Sequence, residues 1–157
     1  MFSHLSTADS FFNVYKNYPL VCSAVSWLIA QILKVIINLI VHKELSPKLI
    51  WSSGGMPSSH SSAVVSLSLA IGLTQGFLSP LFAISSIFAF IVMYDAAGVR
   101  RETGDIAKVL NNLVINNPEV ENSEEYKELK ELVGHTPIEV VGGAALGIAI
   151  PLLIKPF

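Results

Sequence analysis

Long apolar runs alternate with short polar breaks along this chain. Four runs stand out, roughly 19–42, 60–78, 80–96 and 137–154. A bilayer-spanning helix needs about 20 apolar residues, with about 17 as the lower limit. All four runs qualify, the last three narrowly. Gln31 and Lys34 interrupt the first. The second and third are joined by Gly76-Phe77-Leu78-Ser79-Pro80, a turn sequence that implies an antiparallel hairpin. In the last run, Gly143-Ala144-Ala145-Leu146-Gly147 forms a small-residue face that lets helices approach closely. Packing inside one copy explains that face more simply than a homo-oligomer, which it also permits.

Residues 97–136 differ in character. Ile106, Val109, Leu110, Leu113 and Val114 share one helical face after Thr103, the pattern of an amphipathic helix at a membrane surface. Asn116-Asn117-Pro118 breaks it. Ser123 then opens a second short helix over 124–133, with Tyr126, Leu129 and Val133 on one side. The pattern predicts an all-α, polytopic transmembrane bundle of about four spans plus interfacial helices, in a single membrane-embedded domain over 1–157.

Composition agrees. Of 157 residues, 52% are hydrophobic and only 14% are charged, against about 25% charged in an average soluble domain. The lipid bilayer is the expected partner. A formal charge of −2 argues neither way on nucleic acid, and with no basic cluster to suggest it none is expected as a partner. Cys22 stands alone, so no intrachain disulfide is expected. The first 18 residues lack the basic start of a signal peptide, and no organelle transit pattern is present. A bacterial cell membrane is the expected location.

Alternation of four spans sends the polar groups to one face. His60, Arg100, Arg101 and His135 would all lie at the end reached by the first span, with the hairpin turn on the other. Lys34, about eight residues before that end, would sit ~12 Å deep and must face the bundle, because a lipid-facing lysine there costs about 2.5–3.5 kcal/mol. The same end carries Lys43, Lys48, Lys108, Lys127 and Lys130 besides the two arginines, whereas the other end has Lys16 and Lys155. The positive-inside bias puts the polar face in the cytoplasm.

Candidate chemistry concentrates in three stretches. Gly54-Gly55-Met56-Pro57-Ser58-Ser59-His60-Ser61 leads into the second run. A helix starting there offers free amides and a positive dipole end to a phosphate, and glycine permits close approach of the backbone. A serine cap with an interfacial His60 is the simpler structural account. In Gly134-His135-Thr136-Pro137-Ile138-Glu139, His135 and Glu139 are one helical turn apart, so the carboxylate can orient the imidazole; a helix cap again serves as the plain alternative. Asp95 closes the third run and Arg100-Arg101 follow. An ion pair anchoring the helix end is the preferred reading of Asp95, and phosphoryl binding that of Arg100 or Arg101. No cysteine cluster or HExxH supports a metal site, and no cofactor is expected.

Together, GGMPSSHS, DAAGVRR and GHTPIEVVGG resemble the divergent branch of the phosphatidic acid phosphatase type 2 superfamily, which is related to acid phosphatases and vanadium-dependent haloperoxidases. The resemblance covers about residues 18–154. Lys34 is similar to the lysine of the superfamily's first motif, but Val41-His42 stand where that motif has Arg-Pro. Pro57-Ser58-Ser59-His60 matches the second motif with Ser for Gly. His135 and Glu139 match the third, with Glu for Asp, and Leu129 stands where an arginine is expected. The resemblance implies a metal-independent phosphohydrolase acting on a lipid phosphate or polyprenyl diphosphate. His135 would be the nucleophile that becomes phosphohistidine, Glu139 its orienting acid and His60 the proton donor. Lys34, Arg100, Arg101, Ser58, Ser59 and Gly55 would hold phosphate. The alternative is a non-catalytic membrane protein that binds phospholipid head groups through a degenerate site.

Overall fold

The computed structural model describes residues 14–43, 55–115, 129, 134–154 and 156. After a single 3-10 turn at Val14–Lys16, the described helices are α1 (Tyr18–His42), α2 (Ser59–Gln75), α3 (Pro80–Ala97), α4 (Val99–Ile115) and α5 (Pro137–Leu153). No strand occurs among the described residues. The expected helix over 124–133 lies outside them, apart from Leu129.

Each boundary has a local cause. Asn17 accepts the Leu20 amide at 3.2 Å, with Pro19 in the first turn of α1. Ser58 caps α2 by accepting the Ser61 amide. Ser79 does the same for Phe82, with Pro80 opening α3. Proline suits a first turn because its missing N–H would have no helical partner there. The expected turn is present: α2 ends at Gln75, and Gly76 to Ser79 form the hairpin turn, with the Ser79 amide donating to the Gly76 carbonyl at 3.1 Å.

The helix α2 is the hub, packing against α1, α3 and α5. Its buried positions are mostly serines, with Ala70 and Gly72. These side chains are short enough for close helix approach and their hydroxyls bridge the helices. Ser62 donates to the Ser26 carbonyl at 3.1 Å, and Ser26 returns a bond to the Ser62 carbonyl at 3.2 Å. Ser23 donates to the Ala63 carbonyl, and Ser68 pairs with Ser86 of α3. On the α5 side the small-residue face is spent within the chain. A Cβ at Gly147 would sit 2.6 Å from the Ser62 carbonyl oxygen, and one at Gly143 would overlap the Ser58 carbonyl. At the far end the Tyr18 hydroxyl donates to the Pro151 carbonyl at 2.6 Å and ties α1 to α5.

The outside of the bundle is apolar. Leu28, Ile32 and Ile36 of α1, Ile84, Ile87 and Phe88 of α3, and Val141 and Leu152 of α5 are exposed. Such a belt suits hydrocarbon and would be an aggregation hazard in water. Two stretches, Tyr18–Val41 and Pro80–Val114, are long and apolar enough to cross a membrane, and Pro137–Leu153 is apolar but shorter. The expectation of four spans is thus met at two segments by this measure. The serines that let α2 sit inside the bundle are also what dilute its apolarity.

Candidate active site

The end of the bundle where α1 finishes and α2 and α5 begin collects the polar groups. Thr136 precedes Pro137 at the start of α5, and the Glu139 carboxylate turns back to accept the Thr136 amide at 3.0 Å. The same oxygen, Oε2, lies 3.1 Å from Nδ1 of His135. A carboxylate can only accept, so Nδ1 carries the proton and Nε2 of His135 presents its lone pair. That Nε2 is buried and makes no hydrogen bond among the described residues. His135 is held from behind as well, its amide donating to the Ala96 carbonyl at 2.9 Å.

Gly134 makes this geometry possible. It sits at φ +102°, and a Cβ there would lie 2.5 Å from the Arg101 amide nitrogen. Only glycine lets the 134–135 backbone lie directly on the start of α4. The start of α2 is fixed to the same place, because the Ser58 amide donates to the Glu139 carbonyl at 2.9 Å. His60, on the first turn of α2, consequently stands edge-on to His135 with ring centroids 6.1 Å apart.

Lys34 reaches this end from α1. It is only 2% exposed, and a Cβ at Gly55 would meet its Cγ at 3.2 Å, so its stem runs along the glycine backbone. Gly55 has φ +96°, which the loop needs at that contact. Lys34, Asn38, Gly55, Met56 and Glu139 line a cavity of about 180 Å3. Burial pulls the His135 imidazole below its ordinary pKa; Glu139 opposes the shift, while the charges of Lys34 and Arg100 add to it. At neutral pH His135 is a neutral base with a preset tautomer.

The structure therefore brings together Lys34, Gly55, Ser58, Ser59, His60, His135 and Glu139, with Ser58 and Ser59 buried at the α2 terminus. Arg100 is arranged differently. Its Nε donates to Asp95 at 2.6 Å, and both side chains are well exposed. The Asp95 anchoring pair expected from the sequence is present, and it engages one of the two arginines assigned to phosphate. Arg101 is exposed on α4. Gly54 and residues 44–53 lie outside the described residues. Sequence reasoning missed Asn38. Its signal was a polar residue one helical turn after Lys34 in an otherwise apolar run, which puts both on the same face.

The fold and this cluster define a class: a helical protein with a bilayer-type surface and a histidine–carboxylate–lysine site at one end. The chain belongs to the divergent PAP2 family, which matches residues 15–150, in agreement with the motif resemblance. It is also similar to the "Uncharacterized membrane protein YuiD" of Bacillus subtilis (strain 168). The two are 46% identical over 151 residues, covering 90% of this chain and 96% of that protein. No solved structure matches the chain.

Proposed function

We propose that this protein is a multi-pass, metal-independent membrane phosphohydrolase acting on a lipid phosphate or polyprenyl diphosphate. One observation carries the reading. Among the described residues, Nε2 of His135 is buried and without a partner, beside His60, while Nδ1 is tied to Glu139. That is the posture of an oriented nucleophile next to a proton carrier. A capped helix start alone has no use for the second imidazole.

In the proposed reaction Nε2 of His135 attacks phosphorus, and the P–O bond to the leaving group breaks. A protonated His60 gives its proton to the departing oxygen. Nδ1 keeps its proton, and Glu139 balances the positive charge of the phosphohistidine ring. Water then attacks phosphorus, the neutral His60 takes its proton, and the N–P bond breaks to release phosphate and restore His135. Lys34 and the first amides of α2 stabilise the phosphoryl oxygens, a role in which preorganised donors contribute most. Four spans, with α2 and α5 as the two shorter ones, would carry the site at the cytoplasmic face under the positive-inside bias. Labelling of Lys43→Cys against Leu78→Cys from each side of the membrane tests that orientation.

A second reading, head-group binding without turnover, is favoured by the Asp95–Arg100 pair, which occupies one arginine assigned to phosphate. The deciding experiment is phosphate release by purified protein in detergent from phosphatidate, phosphatidylglycerol phosphate and a polyprenyl diphosphate, with chelator present. The hydrolase predicts release that His135→Ala abolishes, and an acid-labile phosphoenzyme that wild type forms and His135→Ala does not. Equal lipid binding by wild type and His135→Ala, with no release across the panel, decides for the second reading.

A further inference from the structure

A larger cavity, of about 550 Å3, lies at the other end of the bundle. It is bounded by the start of α1, the last turns of α2 and the first turn of α3. From Lys34 back to Tyr18 is sixteen residues of helix, ~24 Å, so the cavity is remote from the histidines. The fold explains its existence. Tyr18 turns inward, packing with Cys22 and Ala70 while its hydroxyl engages Pro151. Leu20 is left on the outer side, facing a stripe of α2 formed by Leu67, Ile71 and Thr74 at helical spacing. Leu67 and Ile71 are only half-buried there, between Leu20 of α1 and Leu81 of α3.

The walls are graded. Leu67 and Ile71 line it one to two turns inside the end of α2, whereas Lys16, Asn17, Leu20, Thr74, Gln75 and Leu81 line it at the helix ends. Thr74 adds no demand of its own, because its hydroxyl already donates to the Ala70 carbonyl at 2.8 Å. Among the described residues that line it, none is a carboxylate. A cation at the rim above an apolar trough is complementary to one molecule of the surrounding solvent, a lipid with a negative head group.

We propose that this cavity is a binding site for an anionic phospholipid of the leaflet opposite the histidine site, its phosphate against Lys16 and an acyl chain along Leu67 and Ile71. The site is independent of the phosphatase reading, and its lipid is retained rather than hydrolysed. A hydrocarbon trough of this volume next to a bilayer is filled by chains, and the lysine supplies the selection. One basic group at a membrane surface corresponds to about a fivefold preference for an anionic over a zwitterionic lipid.

The test is native mass spectrometry of the delipidated full chain in detergent, titrated with equal palmitoyl-oleoyl phosphatidylglycerol and phosphatidylcholine. Wild type is expected to retain phosphatidylglycerol about fivefold better. Lys16→Gln, a change at an exposed residue, brings the two lipids to parity, with circular dichroism checking that the helices persist. Ile71→Trp, which fills the trough, loses both, with circular dichroism reporting that the helices persist. Lys34→Gln keeps the preference, because the histidine end is not involved. Equal retention by wild type overturns the proposal, as does a preference that survives Lys16→Gln but not Lys34→Gln. Displacement of the bound lipid by glycerol phosphate alone overturns the lipid assignment and leaves a simple anion site.

Discussion

Helices α2 and α3 are neighbours in sequence, nearly equal at 17 and 18 residues, and joined by one turn. They face opposite ways chemically. In α2 the buried positions are serines, Ala70 and Gly72, whereas α3 buries only Ser85, Ala89 and Ala96 and turns Ile84, Ile87, Phe88 and Ile91 outward. In a protein surrounded by water the helix with more serine would be the outer one. Here the order is inverted, because lipid rewards an apolar exterior and offers nothing to a hydroxyl. Polar side chains must find partners inside, and small ones bring backbones close enough to do so. The inner helix then delivers its N-terminus, Ser58 to His60, to the place where α5 delivers His135 and Glu139.

If inward-facing groups carry the function and outward-facing ones only meet lipid, paired substitutions on one helix should separate sharply. The largest contrast is expected on α1. Lys34→Gln removes a buried donor at the site and should lower turnover about 10²–10³-fold, while Ile36→Leu, one turn-face away in lipid, leaves it unchanged. Both are measured as phosphate release with folding checked by circular dichroism. Comparable losses in the two variants would break the contrast.

Next in size is a pair on α5. Gly143→Leu forces a side chain into the Ser58 carbonyl and should lower stability by about 1–3 kcal/mol. Ala145→Leu, on the exposed side, should stay within about 0.5 kcal/mol. Thermal unfolding in detergent reads both. A smaller difference is expected between Ser62→Ala, which removes one of the two reciprocal bonds to Ser26 at about 0.6 kcal/mol, and Phe88→Leu on α3, which should be near neutral.

These contrasts also show what the amino-acid pattern could and could not reveal. Helix starts were legible because Ser58, Ser79-Pro80 and Pro137 are local signals that need no tertiary context. The convergence of His60, His135 and Lys34 on one end followed from counting helices. The interior position of α2 was harder to read, since an apolar run with serines looks like a weaker span until its neighbours are known. Asn38 was overlooked because its place beside Lys34 matters only once the loop at Gly55 closes over them. The Asp95 ion pair was legible from charge spacing, but that its partner is Arg100 and not Arg101 rests on the bend at Gly98 between α3 and α4.

The finest test concerns protons. Burial lowers the His135 pKa and Glu139 partly restores it. A histidine whose folded value lies below the ordinary value near 6.5 favours the neutral ring, so its contribution to stability is complete above that range and is lost as pH falls through it toward the folded value. Turnover needs the same neutral ring, so the acid limb of kcat/KM should fall below pH ~6.5. Glu139→Gln removes the negative charge that raises the value, and the acid limb should move to lower pH even as the rate drops. Ser68→Ala, buried on α2 far from the imidazoles, should leave the limb in place. A limb that stays in place in Glu139→Gln would mean that the carboxylate only caps α5, and the polar interior of the bundle would then be packing without chemistry.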